Sequence, residues 1–386
     1  MGELVPAQRV RAIEELTIHR VASAIPDDVE ILRLENLDTD LRPWTWALAA
    51  TRTALLSDAA NSYLPFTGSA ELRRAVAARL SRQTGHAYGA DQVLVTAGGL
   101  EGVFDALLAT VDPGDEVIVT DPTYIGLLNR IRLAGALPVQ VPLLVRDGEW
   151  RLDRAALRGA VGLKTRACLM MSPSMPTGAV FDEGEWEAIA ALCREHNLWL
   201  IDDAAMERIL FDGRSLVHPA SLPGMAERTI VVGSVSKEQR MIGWRVGWIA
   251  SPPSLVRAIE AVRMANVVTP VGISQSAALA ALDAPPDEYA EALGEWERRR
   301  NVVLAQLEGY TAIRPAGGWS LLIDAAPLGM DAATMARQLL ERGKVAVSPM
   351  TGWGVVNGDR YVRLVFSNEP VERLVLLGER VRRAFG

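Results

Sequence analysis

Lys237 stands where the apolar run of residues 229–232 ends, with Ser234 and Ser236 just before it and Arg245 eight residues after it. The run reads as a buried strand, and glycines at 233, 243 and 247 let backbone come close to a ligand. A lysine at a strand end, between two hydroxyls and an arginine, suits an aldehyde that carries a phosphate. The amine condenses with the carbonyl and the other groups donate to the anion. A surface lysine beside an unrelated arginine would show the same letters, so other stretches have to agree.

Three of them do. Val93-Leu-Val-Thr-Ala-Gly-Gly-Leu100 reads as strand, glycine turn and helix start. A helix N-terminus offers free N–H groups and the positive end of its dipole, which makes Gly98, Gly99 and Leu100 candidates for holding a phosphate. Arg363 lies among apolar residues in Tyr361-Val-Arg-Leu-Val-Phe-Ser367, and an arginine there needs an anion, either a ligand carboxylate or an internal salt bridge, to offset its burial. Leu198-Trp-Leu-Ile-Asp-Asp203 reads as a strand ending in two carboxylates. Side chains alternate along a strand, so one of Asp202 and Asp203 faces a ligand and the other turns away.

Ser-x-Ser-Lys followed by Gly-Trp-Arg-x-Gly resembles the lysine segment of the class I/II aminotransferases, pyridoxal-phosphate enzymes of fold type I, and the likeness runs from about residue 30 to the end. The resemblance implies that Lys237 holds pyridoxal 5'-phosphate covalently and then acts as general base at the substrate Cα. It implies that Ser234, Ser236, Arg245 and the turn at Gly98, Gly99 and Leu100 hold the phosphate, and that Tyr124 stacks on the ring. It gives Asp203, rather than Asp202, the ring nitrogen, and gives Arg363 the substrate carboxylate. Tyr63, in Tyr-x-Pro-x-x-Gly-x-x-x-Leu-Arg, would reach the phosphate held by a neighbouring subunit, which implies a homodimer.

Some positions depart from the family. Leu37 stands where a glycine of the substrate-side turn is expected, and Ser172 replaces the first asparagine of the Asn-Pro-x-Asn-Pro-Thr-Gly loop. Met175 and Met206 stand where asparagine and tyrosine usually donate to the ring oxygen of the cofactor, and a thioether cannot donate. The expected reaction is amino transfer between an L-amino acid and a 2-oxo acid. The methionines keep open a lyase or cyclase acting through the same cofactor. A non-catalytic ligand-sensing module is a more distant alternative, since no helix-turn-helix precedes residue 30.

The elements that must position these groups alternate strand and helix from 93 to 250, which argues for an α/β fold: a mainly parallel sheet of seven-stranded type with helices on both faces, ligands sitting at the carboxyl ends of its strands. The expected domains are an N-terminal arm at 1–45 that joins the small domain, a large cofactor domain at 46–285 and a small α+β domain at 286–386. Pro285 and Pro286 mark a hinge or loop. A helix is expected at 7–16. In the long helix expected at 287–307, Trp296 and Leu304 face inward and Glu297-Arg-Arg-Arg300 outward.

Composition fits this size of core: 386 residues, 49% hydrophobic and 23% charged. A net charge of −7 without a basic run gives no footprint for nucleic acid. No apolar run of about 18 residues suggests a membrane span, and the start lacks a secretory pattern, so a cytoplasmic protein is expected. Cys168 and Cys193 are too few for a disulfide framework and the four histidines are isolated, so no metal site is expected.

Overall fold

The computed structural model describes residues 4–13, 25 and 28–386. Of the helix expected at 7–16, Gln8–Arg11 is helical, and residues 14–16 lie outside the described part. In chain order the strands are β1 (Leu32–Arg33), β2 (Val93–Thr96), β3 (Glu116–Asp121), β4 (Leu137–Arg146), β5 (Glu149–Leu152), β6 (Thr165–Met170) and β7 (Trp199–Asp203). They continue with β8 (Thr229–Ser234), β9 (Gly247–Ala250), β10 (Ala312–Ile313), β11 (Ser320–Asp324), β12 (Val345–Ala346), β13 (Ser348–Pro349) and β14 (Tyr361–Val365).

One large sheet has the order β2-β9-β8-β7-β6-β3-β4-β5. The pairs β4–β3, β3–β6, β6–β7 and β7–β8 are parallel, and β9 is antiparallel to both its neighbours. Strands covered on both faces need unbroken apolar runs. Val117, Ile118 and Val119, then Leu200 and Ile201, then Ile230, Val231 and Val232 supply them, all buried. Cys168 on β6 and Cys193 on the helix Glu183–Glu195 are free thiols in the same core. The sheet gains an eighth strand over the expected seven. Residues 148–153, read from sequence only as a lead into a helix, form β5 because Asp147 and Gly148 both take positive φ, 51° and 76°, and close a two-residue hairpin on β4.

The smaller antiparallel sheet, β10-β11-β14-β13, places Arg363 at its centre, opposite Leu322 on one side and Ser348 on the other. β1 pairs with β12 and delivers the segment after it toward the large sheet. The helix Pro286–Gln306 follows a short loop, with Pro285 as its N-cap and Pro286 as its first residue. Trp296 is buried against Trp319, ring centres 5.1 Å apart. The outward placing of the arginines is overturned for Arg299 and Arg300, which are 3% and 0% exposed. Arg299 donates to Asp40 at 2.6 Å and to the Ser367 carbonyl; Arg300 forks onto Asp212 at 2.7 and 2.8 Å. An apolar periodicity cannot foresee this, because carboxylates from distant segments make burial tolerable.

The hydrogen bond from Arg300, aided by Arg314, holds the Asp212 carboxyl down to about 2, below its ordinary 3.8. A folded-state pKa below the unfolded one contributes stability that is complete above pH about 4 and is lost as pH falls through about 2. Urea unfolding of wild type and Asp212→Asn between pH 5 and pH 2 should show the gap between them narrowing over that window. A gap constant to pH 2 contradicts the assignment.

Candidate active site

The carboxyl ends of β3, β6, β7 and β8 open on one cavity of about 400 Å³, together with the first turn of the helix Gly99–Thr110. Each strand end sends at least one group into it. Ser234 ends β8 and Ser236 and Lys237 follow; Asp203 ends β7; Met171 and Met175 follow β6; Tyr124 follows β3. Arg363 from β14 and Leu37 from the segment after β1 close it from the side of the small sheet.

Lys237 is the centre. Its Nζ donates to the Leu37 carbonyl at 2.9 Å and lies 5.0 Å from the centre of the Trp319 ring. Enclosure lowers its pKa to about 8; Asp38 opposes this, and Arg363 and Arg245 add to it. A solvent-exposed lysine is almost wholly ammonium at neutral pH, whereas here a useful share of free amine is present.

On one side of Lys237 is an anion site. The first-turn amides of the helix Gly99–Thr110 have no partners within the helix, and Ser234 and Ser236 hydroxyls flank the same cavity. Arg245 at its mouth donates to Ser236 Oγ at 3.4 Å, to the Ile242 carbonyl at 2.9 Å and to the Ala97 carbonyl at 3.3 Å. Gly98 stands beneath it rather than on the cavity wall. A Cβ there would lie 2.3 Å from Arg245 Nη2, and Gly98 also has φ of 94°. Position 98 is thereby restricted to glycine twice over.

On the other side is Arg363, fully buried. Its Nη2 donates to the Glu35 carbonyl and to Ser348 Oγ, its Nη1 to Met175 Sδ at 3.5 Å, and it stands 5.3 Å from the Trp353 ring centre. All those acceptors are neutral. The Glu35 carboxylate turns instead to Arg33 at 2.6 Å, and Arg363 Nε is buried with no acceptor. Burial lowers Arg363 to about 10. The internal salt bridge considered from sequence is absent among the described residues, so the guanidinium keeps an unmet affinity for an anion.

Asp203 lines the cavity and Asp202 does not, as strand alternation requires. Burial raises Asp203 to about 6, opposed by the Ala205 amide at 3.2 Å and by Arg130. Asp202 points to the other face, where burial first and then Glu207 and Asp203 push it well above the ordinary carboxylate range. Tyr124 packs on Trp353, ring centres 5.5 Å apart. Met206 is buried and also reaches the wall. Tyr63 does not: it is 79% exposed, its ring against Phe66.

Sequence reading misses Asn36, Met171, Ala205 and Ile242 on the wall. None belongs to a pattern; each arrives there as a neighbour of a residue that does. It also misses Arg130, whose Nε holds the Leu100 carbonyl at 2.9 Å beneath the helix start.

A family model described as aminotransferase class I and II matches residues 34–376. The arginine–pyruvate transaminase of Pseudomonas aeruginosa is 34% identical over 92% of this chain and 90% of its own length. The aspartate/prephenate aminotransferase of Thermus thermophilus is 33% identical over 87% and 86%. Among solved structures, the N-succinyldiaminopimelate aminotransferase of Mycobacterium tuberculosis superposes with a TM-score of 0.91 at 32% identity, covering 98% of this chain and 99% of that one.

The amine of Lys237 should react at neutral pH when ordinary lysines do not. Reductive methylation of the protein, followed residue by residue by mass spectrometry, should give half-maximal labelling of Lys237 near pH 8, with surface lysines following about two units higher. Labelling of Lys237 in step with the surface lysines would contradict the lowered pKa.

Proposed function

The chain belongs to the class I and II aminotransferase family, and from that premise we propose that it holds pyridoxal 5'-phosphate on Lys237 and works as a cytoplasmic homodimer. It is a transferase that moves an amino group between an amino acid and a 2-oxo acid. The observation that carries the site assignment is the placing of the Lys237 amine between two anion-seeking ends, the helix N-terminus with Arg245 and the buried, unpaired Arg363.

The residues fit that cofactor. The amides of Gly99 and Leu100, the hydroxyls of Ser234 and Ser236 and the Arg245 guanidinium would hold its phosphate, with Gly98 giving Arg245 room to lie flat. Tyr124 offers its ring the flat face of a phenol. Asp203, buried and without an ion-pair partner among the described residues, offers the ring nitrogen a carboxylate, and a cationic ring would in turn draw its pKa back down. Bound there, pyridoxal phosphate supplies a carbonyl that condenses with amines and a ring that accepts electron density from the substrate Cα.

Everything else falls to the chain's own groups. Arg363 takes the substrate carboxylate on its unused N–H and so fixes the Cα relative to Lys237. The Lys237 amine removes the Cα proton and carries it until it is returned. The Leu37 carbonyl and the face of Trp319 accept the ammonium that this produces. Exposed Trp46, Leu56, Tyr63 and Phe66 support the dimer, in which Tyr63 would serve the partner's site. The division into an arm, a large and a small domain at residues 45 and 285 belongs to the same proposal.

The protein loaded with pyridoxal phosphate and given a pool of amino acids with pyruvate or 2-oxoglutarate should form a new amino acid and a new 2-oxo acid in equal amounts. Ammonia without an aminated acceptor would move the assignment to elimination. Lys237→Ala should lower turnover by at least about 10²-fold. Arg363→Leu should lower kcat/KM by about 10- to 100-fold, the worth of a charged hydrogen-bonded contact of about 1.5–3 kcal/mol, mostly through KM.

A further inference from the structure

Resting on that reading, we propose that the site selects amino acids with uncharged, apolar side chains and that Leu37 sets the size it admits. The charged groups of this chain that open into the cavity are Lys237, Arg245, Arg363 and Asp203, and the reaction engages each of them. Arg245 belongs to the phosphate end, Arg363 to the α-carboxylate, Lys237 to the Cα proton and Asp203 to the ring. Among this subunit's described residues a second substrate carboxylate would meet no further cation, and a substrate ammonium or guanidinium no further carboxylate. Leaving a charge unpaired in such a place costs far more than an apolar side chain gains by entering. Apart from Asn36, Tyr124 and the two serines, the rest of the wall is hydrocarbon and thioether, Leu37, Met171, Met175 and Met206 among it.

Leu37 cannot be drawn back from this wall, because the chain on both sides of it is fastened. The Glu35 carbonyl accepts from Arg363 and from Ser348 Oγ at 3.0 Å, and the Asp38 carbonyl accepts from Ser367 Oγ. Thr39 Oγ1 accepts from Trp296 Nε1 at 3.1 Å, and Asp40 is forked by Arg299. The carbonyl of Leu37 itself accepts from Lys237. With three carbonyls and two side chains of residues 35–40 held in this way, the backbone at 37 is fixed and the length of its side chain decides how much space is left on this side. A glycine there would leave the space of a whole isobutyl group open, so leucine shortens the pocket.

The test uses the pyridoxal-phosphate-loaded enzyme with pyruvate and, separately, 4-methyl-2-oxopentanoate as acceptors, and kcat/KM for alanine, norvaline, leucine, methionine, phenylalanine, aspartate, glutamate, lysine and arginine. The best uncharged substrate should exceed the best charged one by at least about 100-fold. Leu37→Gly and Leu37→Ala should each raise the ratio of phenylalanine to methionine by about tenfold or more, in the order glycine above alanine. A charged amino acid as the best donor overturns the inference and leaves amino transfer standing. A ratio unmoved in both variants, each still active, overturns the part assigned to Leu37. Transfer from none of the nine, with either acceptor, overturns the reading beneath.

Discussion

A guanidinium buried without a counter-charge among the described residues governs the architecture of this site. Arg363 is fully enclosed and makes its bonds to a carbonyl, a hydroxyl and a thioether, with the face of Trp353 alongside. Desolvating a cation in this way costs several kcal/mol in real proteins, and neutral acceptors return only part of it. Such a group must be held by a frame that is stable for other reasons. The four-stranded sheet supplies that frame, with Arg363 in register between Leu322 and Ser348, and β1 brings the Glu35 carbonyl to it from the other end of the chain. The deficit left over is an attraction for an anion.

The large sheet solves a complementary problem. Parallel strands finish together, so their ends and the short loops after them deliver Tyr124, Met175, Asp203 and Lys237 to the same place. The same geometry sets the glycine turn after β2 beside the end of β8, and the helix that follows points its positive end at the cavity. Cationic surroundings at both ends of the cavity, together with enclosure, depress the lysine between them. Binding of anions and availability of a free amine are thus two results of one distribution of charge.

Much of this could be read from sequence because the chemistry sits at element boundaries, where residue types are most restricted. Ser234, Ser236 and Lys237 after an apolar run, and Gly98 and Gly99 before a helix, leave few alternatives, and alternation along β7 correctly separates Asp203 from Asp202. What escaped depends on contacts between distant segments. The burial of Arg299 and Arg300 rests on Asp40 and Asp212, and the wall positions Asn36, Ala205 and Ile242 carry no pattern. The hairpin of β5 was announced by Asp147 and Gly148 between two stretches of alternating apolar residues, Leu143 and Val145 before them and Trp150 and Leu152 after, and was legible in principle. Tyr63 lies outside this chain's own cavity, exposed and packed on Phe66.

The close packing of Gly98 under Arg245 carries a lesson for how such a chain can change over generations. A methyl group at 98 would occupy space held by the guanidinium, and one at Gly247 would meet the Gly233 carbonyl and the backbone of Gly98 and Gly99 at 2.7–2.8 Å. No single step at any of these places is neutral: a side chain at 98 asks for a shorter residue at 245, and one at 247 asks three stretches of backbone to part. Residues scattered along the chain are therefore interlocked at this corner, and a change at one of them asks for changes at the others.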